Sequence, residues 1–170
     1  RTPRDTLVVA QGFDPRCLSP LFGTAQPDKN VSGQVVERLV TFSPDSLGFL
    51  PELAIRWEKT APDTLRVHLR RGVRFTNGEE FNAHSARYSL EQMLQARALA
   101  FFVSALRGVE VVDLYTVDVK AKGSTSERLM LTALAMGSFQ YPPVYTEQVG
   151  LLRGFCQRPV GTGPFKLIEW

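Results

Sequence analysis

The residues of this chain best equipped for chemistry form a basic stripe: Arg66, His68, Arg70, Arg71 and Arg74. Such a stripe could grip phosphate or nucleic acid. Binding a single strand would also require aromatic side chains interleaved on the same face, and none stands there. In the run from Asp63 to Arg70, Leu65, Val67 and Leu69 point one way while Arg66, His68 and Arg70 point the other. The stripe therefore reads as the wet face of a half-buried strand, and no nucleic-acid partner is expected.

His68 and His84 are the two histidines. A general base needs a nucleophile and an orienting group around it, and the sequence near them offers only Ser85, turned away from His84 on the same helix. Both read as surface residues. Glu79-Glu80 resembles a carboxylate pair, but adjacent residues on extended chain face opposite sides, so these read as turn and pre-helix solvation. Gly161-Thr162-Gly163 has the Gly-x-Gly of phosphate loops. No Lys-Ser/Thr follows it, and Pro164 with Phe165 to Ile168 continues as a strand, so no helix N-terminus waits for an anion. Its glycines suit a close-packed crossing between structural units. Cys17 and Cys156 lack CxxC spacing and neighbouring histidines, which excludes a structural zinc site. They read as one disulfide or as two buried thiols, since sequence separation says nothing of distance. No catalytic residue, metal ligand or cofactor site is expected.

The elements that would position these residues follow from periodicity. Thr6 to Ala10 is apolar on both parities and predicts a strand buried on both faces. Gly12, Pro15, Pro20, Gly23 and Pro27 then mark a long loop, a common place for binding residues. Asp28 is expected to cap a helix carrying Val31, Val35 and Leu39 that ends near Thr41. Period two takes over from Leu50: Ala54 to Trp57 should pair with the strand after Asp63 through an Ala61-Pro62-Asp63 turn. Asn77-Gly78 is a turn signal. Asn82 should cap an amphipathic helix through Ala86, Leu90 and Met93. Val117, Val119 and Ala121 line one face of another strand. Ser124 and Glu127 have capping-box spacing before a helix carrying Leu131, Leu134 and Ala135. Phe165 to Ile168 reads as a last strand.

The 170 residues are 44% apolar and 22% charged, which fits a soluble globular class and excludes disordered and collagen-like ones. A net charge of +3, spread over 15 Arg and 5 Lys against 17 acids, is too small and scattered to predict a nucleic-acid surface. The densest apolar run, Leu129 to Met136, falls short of the roughly 18 residues a spanning helix needs. Arg1 to Asp5 lacks the apolar core of a secretory signal, which leaves the compartment open.

Several segments together resemble one family. They are Leu50-Pro51-Glu52-Leu53-Ala54-Ile55-Arg56-Trp57, the run from Leu65 through Arg71-Gly72-Val73-Arg74-Phe75-Thr76-Asn77-Gly78 to Ala83, Val112-Asp113 with Tyr115-Thr116-Val117, and Pro159-Val160-Gly161-Thr162-Gly163-Pro164-Phe165. In this order and spacing the chain is similar to the extracytoplasmic solute-binding proteins of ABC importers, family 5, the peptide, oligopeptide and nickel branch. It departs from the pattern at His84-Ser85, where an acid and an aliphatic residue are usual, and at Gly123-Ser124-Thr125, which replaces a proline-containing helix start.

The resemblance implies a mixed α/β (α+β) fold of the periplasmic-binding-protein-like type II class. Residues 1–43 would begin the first lobe, 44–155 would form an inserted subdomain, and 156–170 would return to the lobe. The second lobe would be absent, making the chain an N-terminal fragment. It also implies a cleft wall containing Gly12, Phe13, Phe102, Ser138, Phe139 and Tyr141, core packing being the alternative for each aromatic. The implied function is the non-enzymatic substrate-binding component of an ABC import system. It would sit in the periplasm or at the outer face of the cytoplasmic membrane. Its partners would be a peptide or similar small solute and the permease subunits, with membrane contact only through the permease or a lipid anchor. The alternative is the ligand-sensing domain of a bacterial transcription regulator with the same fold.

Overall fold

The alternating run becomes an inner strand of a four-stranded antiparallel sheet in the computed structural model, which describes residues 8–23 and 25–170. Two short strands come first, β1 (Val40–Phe42) and β2 (Phe49–Pro51), paired as a hairpin. The larger sheet is built from β3 (Ala54–Ala61), β4 (Thr64–Leu69), β5 (Leu106–Asp113) and β6 (Thr116–Ala121), in the spatial order β3-β4-β6-β5. Its register sets Leu65 opposite Val119 and Val67 opposite Val117, so both central strands present β-branched and aliphatic side chains to one face. That face is covered by α2 (Ala83–Gln95), through Ala86, Leu90 and Met93, and by α4 (Glu127–Gly137), through Met130, Leu131 and Leu134.

Local chemistry starts these helices. Asn82 Oδ1 accepts the N–H groups of His84 at 2.9 Å and Ser85 at 3.3 Å, while the Asn82 N–H donates to Ser85 Oγ at 2.9 Å. This reciprocal arrangement satisfies donors that the first helical turn leaves unmet. At α4 the cap is Ser126, not Ser124: Ser126 Oγ accepts the Leu129 N–H at 3.3 Å. Both serines precede the apolar run, and spacing to Glu127 favoured the wrong one.

A second, smaller core gathers Leu21, Val35, Val36, Phe139, Tyr141 and Phe155. It packs α1 (Gln26–Val35), the short helices α5 (Pro143–Val149) and α6 (Phe155–Gln157), and the loop before α1, while the short helix α3 (Ala100–Val103) puts Val103 into the larger core. Cys17 and Cys156 form a disulfide across 139 residues of sequence, with Cα atoms 4.4 Å apart, and the Leu18 N–H donates to the Cys156 carbonyl at 2.8 Å. The disulfide alternative is thus the one the structure takes.

The expected crossing is present. Gly161 lies on the Val35 carbonyl, leaving no room for a Cβ, and a Cβ on Gly163 would stand 2.6 Å from the Gln34 carbonyl oxygen. The Gly163 N–H donates to Val35 at 2.9 Å and the Thr76 N–H to the Gly161 carbonyl at 2.9 Å.

Three further sequence expectations are corrected. Val8 to Ala10 is not a strand, and Val8 and Val9 are 71% and 77% exposed; Thr6 and Leu7 lie outside the described residues. A strand buried on both faces needs ladder partners, and no described strand runs beside this segment. Phe165 to Ile168 is irregular for the same reason, tied to the body by a backbone hydrogen bond from the Phe165 N–H to the Gln34 carbonyl at 3.2 Å. The first helix starts at Gln26 after Ala25, with Asp28 in its first turn rather than at its cap, and it ends at Val35. It stops early because residues 37–39 pair instead with 138–140: the Leu39 N–H donates to the Ser138 carbonyl at 3.2 Å and the Gln140 N–H to Glu37 at 2.9 Å.

Candidate functional site

That short antiparallel pairing builds the most site-like feature of the molecule. Arg38 and Phe139 are directly opposite in it, so their side chains leave the same face, and the Arg38 guanidinium lies over the Phe139 ring at 4.4 Å from its centroid. The pair borders a cavity of about 320 Å³ whose walls include Leu21, Phe42, Leu99, Phe102 and Met136. Lys29 of α1 stands at the exposed edge.

The charge of Arg38 is poorly matched. Its Nε is buried without a hydrogen-bond partner among the described residues, and its Nη1 reaches only Thr41 Oγ1, at 3.4 Å. Glu52 is near, yet its carboxylate accepts the Arg38 backbone N–H at 2.6 Å. Burial pulls Arg38 below the usual arginine range, with Glu52 acting in the opposite sense. Burial likewise raises Glu52, against the hydrogen bond and charge of Arg38. The guanidinium still remains protonated at any physiological pH.

Of the six residues named from sequence, the structure brings Phe102 and Phe139 together around this cavity. Gly12 and Phe13 lie on the exposed loop, Phe13 at 80% exposure. Ser138 is wholly buried, and its Oγ accepts the Leu39 N–H at 3.0 Å. Tyr141 is also wholly buried, edge-on to Phe155 at 5.0 Å between centroids. Its hydroxyl lies beside Ser19 and the Leu21 backbone without closing a hydrogen bond of regular geometry, and burial pushes the phenol well above the ordinary tyrosine range. Neither of these two side chains lines the cavity. Arg38 was missed, because one arginine in Val-Glu-Arg-Leu reads as a solvated helix position; only the 138–140 pairing turns it inward.

Three members of the basic stripe, Arg66, His68 and Arg74, are matched by acids, as a wet sheet face would be. Arg66 clasps Asp118 with two bonds of 2.8 and 2.9 Å, His68 meets Glu58 at 3.2 Å, Arg74 meets Glu80 at 2.6 Å, and Arg71 lies over the Tyr115 ring at 5.1 Å. Glu79 does more than solvate a turn: its carboxylate accepts the Val144 and Tyr145 N–H groups, each at 3.0 Å, at the start of α5. A larger concavity of about 880 Å³ lies between Arg16, Tyr145, Arg158 and the irregular segment from Lys166 to Trp170. Among the described residues, no three His, Cys, Asp or Glu side chains converge as a metal site would require, and no helix is long and apolar enough to cross a membrane.

The chain is 32% identical over 108 residues to the periplasmic oligopeptide-binding protein OppA of Haemophilus influenzae, covering 62% of this chain and 19% of that protein. It is 24% identical over 154 residues to the HTH-type transcriptional regulator SgrR of Pectobacterium atrosepticum, covering 91% of this chain and 26% of that one. The solved binding protein MoaA of A. tumefaciens R10, in complex with mannopinic acid, superposes with a TM-score of 0.79 at 28% identity, over 92% of this chain and 33% of that chain. The chain thus spans a third or less of the length of these three proteins. Its fold is part of a type II periplasmic binding protein, and its relatives of this kind are binding proteins, not enzymes. The model for bacterial extracellular solute-binding proteins, family 5 Middle, matches residues 48–170, and the chain belongs to that family.

Proposed function

We propose that this chain is part of the solute-binding component of an ABC importer, which captures a peptide or similarly sized solute outside the cytoplasmic membrane and delivers it to permease subunits. The family match over residues 48–170 carries this reading. No covalent chemistry is involved. Affinity comes from enclosing the solute between two walls, with polar groups satisfied on closure, and the cavity bordered by Arg38, Phe102 and Phe139 belongs to one of those walls.

In this reading residues 44–155 are an inserted subdomain, 1–43 and 156–170 are segments of the lobe that carries it, and a second lobe supplies the opposing wall in a hinged clamp. The four-stranded sheet with α2 and α4 falls inside 44–155, and the Gly161 crossing onto Val35 lies where the chain returns to the lobe.

A second reading, the sensing part of a transcription regulator, draws on the likeness to SgrR. The Cys17–Cys156 disulfide favours import, because such bonds persist in oxidising compartments and are rare in a reducing cytosol. The test is mass spectrometry of small molecules released from the full-length protein. A stoichiometric peptide-sized solute is expected, together with a signal or lipid-anchor sequence ahead of Arg1. A helix-turn-helix in that position, with free thiols in the purified protein, would sink the import reading.

A further inference from the structure

We propose that the cavity beneath Arg38 selects a solute carrying a carboxylate on an apolar or aromatic body, with the carboxylate docked on the Arg38 guanidinium. This rests on the reading that the cavity is part of the solute site.

Among the described residues lining that wall, the guanidinium is the one whose buried donor is left without a partner. It makes no ion pair among the described residues, its Nε is buried and unmet, and its Nη1 contact is long. The nearby acid, Glu52, is engaged with the backbone N–H of Arg38. Among the described residues no acidic side chain lines the cavity, whereas Lys29 adds a second positive charge at its edge. An anion is therefore the occupant that relieves the unmet donors, and a cation would meet like charge in a desolvated place.

Geometry narrows the anion. The contact over the Phe139 ring restrains the guanidinium, whose planar fork suits bidentate binding of a carboxylate. A phosphate would bring a further charge and more acceptor oxygens than this wall can satisfy. Leu21, Phe42, Leu99, Phe102 and Met136 offer apolar surface to the rest of the solute, and by excluding water they strengthen the ionic contact. At about 320 Å³ the space is at the low end for ligand pockets, which suits one acid-bearing end of a solute.

The test uses the full-length protein stripped of co-purifying solute, with two probes of the same shape, N-acetyl-L-phenylalanine and its neutral amide. Affinities are read by ligand-observed NMR titration. The acid should bind at least about tenfold more tightly than the amide, the scale of a charge-assisted bond over a neutral one. In R38Q the preference should vanish, in R38K it should survive in part, and K29Q should weaken the acid only slightly. Equal binding of acid and amide, binding of neither, or a preference that persists in R38Q with an unchanged melting temperature overturns the proposal. The acid-to-amide comparison on the unmodified protein stands even where R38Q fails to fold. A co-purifying solute with no acid group, or one retained undiminished by R38Q, overturns the carboxylate assignment while solute capture survives. Absence of any solute, with no stabilisation by a mixed peptide library, instead removes the reading beneath it.

Discussion

Asp28 accepts backbone N–H groups from Arg16 at 2.7 Å, Ala25 at 3.2 Å and Cys17 at 3.4 Å, and the residue is only 4% exposed. One carboxylate therefore holds both the start of α1 and the loop that carries Cys17. D28A should cost about 2–3 kcal/mol, since hydrogen bonds to a charged group are lost and buried donors are left unmet; D28N should recover part of it. Urea denaturation of the three proteins checks this, and a D28A midpoint equal to that of the parent would refute it. Asp118 differs in being an ion-pair partner. The two hydrogen bonds from Arg66 hold its carboxyl below the usual carboxylate range, burial opposing them. A depressed folded pKa means the stabilisation is fully present above the unfolded value of about 3.9 and is lost as pH falls through the folded one. Melting temperatures of the parent and D118N should therefore converge as the pH drops below about 4. A gap between them that stays constant from pH 6 to pH 2.5 would contradict this. Arg38 belongs to the same scale: its neighbours in sequence give no hint of the cavity, because its direction is decided by a pairing about 100 residues away.

Strong local patterns were legible, a hairpin pairing among them, while two helix caps were misplaced by a few residues and strands expected at the chain's ends were not formed. The alternation of Leu65, Val67 and Leu69 and the Asn82 cap each appear where their side-chain chemistry puts them. Val8 to Ala10 and Phe165 to Ile168 have strand composition without a strand, since a strand exists only against a neighbour. The Gly161–Gly163 crossing is the intermediate case, read correctly as a close approach although not as an approach to the end of α1. It carries a sharp expectation. A Cβ at Gly161 would collide with the Val35 carbonyl, which is backbone and cannot rotate away. G161A should be destabilising at the upper end of the ~1–3 kcal/mol usual for overpacking. Gly12 has open space around its missing Cβ, so G12A should stay within about 0.5 kcal/mol of the parent. Equal thermal shifts for the two variants would mean that the crossing is not close-packed.

At the scale of the molecule, the order of motifs was enough to place the chain in its family, because that order is fixed by topology and survives substitution at single positions. The division of the core into a sheet-and-helix body and a smaller cluster around Phe139, Tyr141 and Phe155 was not visible, since its second part is assembled from segments at both ends of the chain. What joins those ends covalently is the Cys17–Cys156 bond, closing 139 residues of sequence. Loop-closure entropy rises only slowly with length, so a loop of this size should gain close to the most that a disulfide provides, about 2–5 kcal/mol. The loop from Gly12 to Gly23 depends on this bond and on Asp28, so its loss should loosen Leu21 and the adjoining wall of the Arg38 cavity first. Guanidinium denaturation of the full-length protein with and without dithiothreitol reads the effect: the oxidised parent should unfold at distinctly higher denaturant, and a C17S/C156S variant should match the reduced parent in both buffers. Two free thiols in the native protein, or a midpoint indifferent to reductant, would remove both the stabilisation and the compartment argument built on the same bond.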